Sequence, residues 1–69
     1  MPLSFASLGS VNIVKKIKGK DDTRRFLESL GFVEGCDVTV ISQNAGDMIV
    51  NVKDSRVAIS SAMAHRIMV

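Results

Sequence analysis

The chain has 69 residues, nine Lys and Arg against seven Asp and Glu, and a net charge of +2 at pH 7. That length predicts one domain over residues 1–69 with room for a single small core, and a hydrophobic share of 46% with one Pro excludes a disordered tail. One Cys excludes an internal disulfide, the opening Met1-Pro2-Leu3-Ser4 lacks the basic start of a signal peptide, and no apolar run approaches the ~20 residues of a membrane helix, so the sequence predicts a cytoplasmic protein.

After a short lead-in, Ser7-Leu8-Gly9-Ser10 reads as a turn. Val11 to Lys18 reads as a first strand, rich in β-branched residues with Asn12, Lys15 and Lys16 interleaved; the adjacent Ile13 and Val14 break the alternation and predict a bulge or a strand covered in part on both faces. Asp21 to Gly35 is the one segment with helical character. Asp21 and Asp22 can accept from the unpaired amides of a first turn and favour its positive end. Phe26, Leu27 and Leu30, with the Thr23 methyl, fall within one arc of a helical wheel, so a helix of about nine residues buries that side and turns Arg24, Arg25 and Glu28 outward. Gly31 stops it in a left-handed conformation, with Phe32 placed against Leu27.

Asp37 to Gln43 reads as a second strand with Val38 and Val40 on one face, Asn44-Ala45-Gly46-Asp47 as a turn, and Met48 to Lys53 as a third strand. Asp54-Ser55 turns the chain into a fourth, Arg56 to Ile59. Ser60-Ser61 caps a last helical turn through Ala62, Met63 and Ala64, and Ile67-Met68-Val69 returns as a short fifth strand. The prediction is a mainly β fold: a small, partly open barrel of about five strands, one short α-helix after the first strand, and a final helical turn.

Catalytic chemistry finds little material. The only Cys and the only His are Cys36 and His65, and no Gly-rich elbow or oxyanion loop accompanies them, so no enzyme and no cofactor are expected. Metal ligands at local spacing are absent: Cys36, Asp37 and His65 meet only if the fold brings them together, Asp21-Asp22 is a helix start, and Met48, Met63 and Met68 are core filling. Six of the nine basic residues, Lys15, Lys16, Lys18, Lys20, Arg24 and Arg25, form a local patch. It could neutralise phosphates, but Phe26 and Phe32 are committed to packing and no aromatic platform for bases remains. A surface for another protein is left: Arg24, Arg25 and Glu28 beside the Leu30-Gly31-Phe32 turn. An ordinary solvated helix face fits these residues equally well.

Leu27 followed by Leu30-Gly31-Phe32, Gly35 before Val38 and Val40, the hairpin through Gly46, and Val57-Ala58-Ile59 ahead of Ala64 and Ile67 together resemble the FeoA family. The resemblance runs from Leu8-Gly9 to Val69 and implies an SH3-like barrel. It also implies a non-catalytic accessory protein of bacterial ferrous iron uptake, docking on the cytoplasmic GTPase region of the FeoB transporter, and it tips the reading of the helix face toward an interface formed by Arg24, Arg25, Glu28, Leu30, Gly31 and Phe32. Weak self-association is a further expectation, and the alternatives are a regulatory module of a metal-dependent repressor or a small nucleic-acid-binding barrel. The chain departs from the family pattern at Glu34, where proline is common, at Phe26, where many relatives are basic, at Ile59-Ser60 in place of Leu-Arg, and at Met63 in place of glutamate. Contact by charge therefore passes to Arg24 and Arg25.

Overall fold

A computed structural model describes residues 1–69. The fold is mainly β, with six strands in two sheets and few short helices. An antiparallel four-stranded sheet takes the order β1 (Val11–Ile13), β3 (Asp37–Asn44), β4 (Asp47–Val52), β5 (Ser55–Ser60). A two-stranded sheet pairs β2 (Lys16–Ile17) with β6 (Ile67–Met68). Helix α1 (Asp21–Ser29) follows β2, and α2 (Ser61–Ala64) lies between β5 and β6.

Period-two alternation selects the inner face. Val38 and Val40 on β3, Met48, Val50 and Val52 on β4, and Ile59 on β5 are all buried, and the residues between them are half-buried or exposed. With Leu3, Ala6, Val14, Ile17, Leu27, Phe32, Ala64, Ile67 and Val69 they form one apolar cluster of 15 buried residues. No buried polar side chain lacks a partner. Two-residue loops, Ala45-Gly46 and Lys53-Asp54, join β3 to β4 and β4 to β5.

Three expectations are corrected. The single strand over Val11 to Lys18 is two strands in different sheets. The Val14 amide donates to the Cys36 carbonyl at 2.9 Å and the Lys15 amide to the Met68 carbonyl at 2.8 Å, so the backbone changes neighbours between them. No bulge forms at Ile13-Val14; the irregularity lies at Ile41, where the β3–β4 register steps from Val40↔Val50 to Ser42↔Ile49. The second hairpin turns at Lys53-Asp54, not at Asp54-Ser55. Both residues have positive φ, +49° and +63°, the backbone of a type I′ turn, which side chains other than Asn and Gly adopt at a cost. Replacing the pair by Lys53→Asn and Asp54→Gly is expected to stabilise the chain by ~1 kcal/mol, a rise in melting temperature of roughly 4–8 °C in a thermal unfolding scan.

The lead-in also carries structure that sequence reading passed over. Leu3 to Phe5 form a 3₁₀ turn whose Leu3 is fully buried, and the Gln43 side-chain amide donates to the Ser4 carbonyl at 3.0 Å, tying the turn to β3.

Candidate protein-docking face on the helix

Helix α1 occupies the predicted residues, but its ends are built differently from one another. The N-cap is Lys20, in extended conformation, and no side chain caps the first amides. Asp21 and Asp22 stand inside the first turn, so they act on the helix dipole and not, as expected, as acceptors for its amides. The C-terminal end is a full Schellman motif. The Gly31 amide donates to the Glu28 carbonyl at 3.0 Å and the Phe32 amide to the Leu27 carbonyl at 3.1 Å, while Phe32 and Leu27 are both completely buried. Gly31 has φ +112°, and a Cβ built there would meet the Val52 and Lys53 side chains at 3.5 Å, an ordinary contact. The penalty for a side chain at Gly31 is therefore backbone strain, not collision. Gly31→Ala is expected to lower stability by ~1–3 kcal/mol in urea unfolding, with the mid-point displaced and the slope unchanged.

Burial rotates the helix relative to expectation. Leu27 is fully buried, with Thr23 and Leu30 half-buried, so the inward stripe runs Thr23, Leu27, Leu30 at spacings of four and three. Phe26 is 52% exposed, not part of the core as the wheel predicts. A helix resting on the barrel by one narrow stripe leaves the residue at the flank of that stripe overhanging into solvent.

The expected contact residues then sort by position. Arg24, Arg25 and Glu28 are exposed on α1. Arg24 and Glu28 share a cleft of 100 Å³ with Lys16, Ile17 and Glu34, where charges of both signs meet. Leu30 and Gly31 are half-buried at the helix end. Phe32 is 0% exposed and cannot touch a partner in this conformation; it supports the turn from beneath. Phe26 takes its place as the aromatic on the surface, beside Arg25. No sequence signal separates it from Leu27, since a helical wheel places both in one arc.

The other chemistry-bearing residues do not converge. Cys36 and Asp37 line one groove, with Lys53 and Asp54, and His65 lines another. No group of three or more His, Cys, Asp or Glu side chains is placed to hold a metal ion. The six basic residues between Lys15 and Arg25 are all exposed, and the side-chain hydrogen bonds of the molecule involve none of them.

This arrangement of strands and helix has relatives, and the FeoA domain family matches residues 1–69, the whole chain. The chain belongs to the FeoA family. A protein of Methanocaldococcus jannaschii named for Fe(2+) transport is 38% identical over 68 residues, covering 99% of this chain and 83% of the relative. The crystal structure of a FeoA iron uptake regulatory protein superposes with a TM-score of 0.92 at 33% identity, covering 99% of this chain and 92% of the other. FeoA of Stenotrophomonas maltophilia, a procaryotic SH3 domain protein crystallised in complex with zinc, superposes with a TM-score of 0.85 at 27% identity, covering 99% of this chain and 87% of the other. The SH3-like architecture expected from the FeoA resemblance is thus the architecture of the family, and the family is associated with ferrous iron transport. No helix of this FeoA chain is long and apolar enough to cross a membrane.

Proposed function

We propose that this FeoA chain is a cytoplasmic accessory protein of ferrous iron uptake that docks, through the outward face of α1, on the GTPase region of a FeoB-type membrane transporter. The observation that carries the reading is that one short helix exposes both an aromatic, Phe26, and two guanidinium groups, Arg24 and Arg25. Aromatic and Arg side chains are the residue types that dominate the energy of protein interfaces. Family membership supplies the iron-transport context.

In this reading nucleotide hydrolysis belongs to the transporter and the contribution of this chain is to bind. Binding alters the transporter only if the helix face fits one of its conformational or oligomeric states better than another. A twentyfold difference in affinity between two states would displace their balance by ~1.8 kcal/mol, ample for regulation.

The test is a pull-down with tagged FeoA from detergent-solubilised membranes that contain the transporter, with and without a non-hydrolysable GTP analogue. Recovery of the transporter, altered by the nucleotide, is the expected result. Recovery of soluble proteins or nucleic acid alone, with the transporter present in the extract, would reject the assignment.

A further inference from the structure

The widest cavity of the molecule is not on α1. A groove of 730 Å³ opens between the N-terminal turn, the end of β2, and the α2–β6 corner, and its lining shares no residue with the α1 cleft. Its volume lies within the ~300–1,000 Å³ of ligand sites.

Charge distinguishes it from the other two grooves. Lys18 and Arg66 line it, and no carboxylate does. In the groove at Cys36, Lys53 faces Asp37 and Asp54, and in the α1 cleft Lys16 and Arg24 face Glu28 and Glu34. Of the three grooves, only this one is lined by cations and by no carboxylate. The two basic residues are also neighbours. The Lys18 amide donates to the Arg66 carbonyl at 2.7 Å, which sets the two residues side by side across the small sheet. The Arg66 guanidinium lies over Gly19, where a Cβ would come within 3.1 Å of its Nη1.

Apolar side chains, Phe5, Ala62 and Met68, also line the groove. Phe5 is 69% exposed, and its ring meets the His65 imidazole edge-on with centroids 5.9 Å apart and planes at 76°. Ser4 Oγ lies 3.3 Å from His65 Nδ1, so the imidazole is oriented through one nitrogen while Nε2 has no protein partner. An exposed ring set edge-on against an imidazole, beside two cations and no lining carboxylate, suits a ligand that is anionic at one end and apolar at the other.

We propose that this groove is a second docking site, which takes an acidic peptide segment carrying a bulky apolar side chain. A carboxylate meets Lys18 and Arg66, the apolar side chain lies on Phe5 and Met68, and His65 Nε2 bonds the peptide backbone. Because the groove and the α1 face use different residues, one FeoA chain can hold two segments of a partner, or two partners, at once.

The test is an NMR titration of the full ¹⁵N-labelled chain with an acetylated, amidated hexapeptide of sequence Glu-Asp-Leu-Phe-Glu-Asp, beside its Gln/Asn counterpart and inorganic phosphate. Saturable amide shifts centred on Lys18, His65 and Arg66 are expected, with the neutral counterpart binding at least ~10-fold more weakly. The double change Lys18→Glu with Arg66→Glu should weaken binding by a similar factor. Phe5→Ala, which removes an exposed ring and so spares the fold, should weaken it ~3–10-fold. Arg24→Glu should leave it unchanged. Absence of saturable shifts, shifts centred on α1, or phosphate binding as tightly as the peptide would each overturn the proposal, the last by reducing the groove to an anion site.

Discussion

Phe32→Ala is expected to leave this chain largely unfolded at 37 °C, while Phe26→Ala, six residues earlier, leaves it folded. Phe32 is the bulkiest of the fully buried side chains, and its amide completes the Schellman turn that ends α1. Removing the ring costs ~3–5 kcal/mol in lost transfer energy and residual cavity. A domain of this size has roughly 3–10 kcal/mol of total stability to lose, so the change consumes much or all of it. The ring of Phe26 is half in water already, and its loss should fall within about 1 kcal/mol. Far-ultraviolet circular dichroism against temperature and urea separates the two. A larger loss at Phe26 than at Phe32 would mean that α1 is rotated about its axis relative to the arrangement described. The contrast also protects the docking test, since Phe26→Ala can then weaken transporter binding without ambiguity about folding.

The second large effect is on binding. Arg24→Glu combined with Arg25→Glu is expected to weaken association with the transporter by at least ~100-fold, about 2.7 kcal/mol. Two full charge reversals change the local field by four units. At residue 24 the new carboxylate would stand in the cleft that already holds Glu28 and Glu34, with only Lys16 opposing them. Both arginines are exposed, so the helix itself should lose only some tenths of a kcal/mol per site. Wild-type association should also weaken as salt is raised, because exposed charge contacts are screened over about 10 Å at 0.1 M. Titration of purified transporter with each variant reads the effect. Undiminished affinity in a double variant that melts like the wild type would remove α1 from the interface.

What the sequence made legible follows how local each signal is. The helix ended where Gly31 said it would because a Schellman turn is written within five residues, and the β3–β4 hairpin followed from Asn44 to Asp47 for the same reason. Ser60 caps α2 as read, accepting from the Met63 amide at 3.2 Å. Non-local features were lost. Nothing between Val11 and Lys18 announces that the chain leaves β3 for β6, since the competing partners lie at Cys36 and Met68. Leu3 looked like part of a loose lead-in, because its burial depends on elements far along the chain. The candidate face was legible in its charges and not in its aromatic: a wheel places Phe26 and Leu27 in one arc, and only the sheet beneath decides which of two adjacent side chains it covers.

The pairing of β2 with β6, Lys16 opposite Met68 and Ile17 opposite Ile67, has a consequence for how the protein is made. Contacts this distant in sequence must form across most of the chain, which places the domain among slow folders for its length. The buried Ile17 finds its partner strand only when β6 has been synthesised. During translation the three-stranded meander of β3, β4 and β5 can form first, with Val38, Val40 and Val50 on an uncovered inner face. The nascent chain is therefore sticky until β6 has emerged and paired with β2.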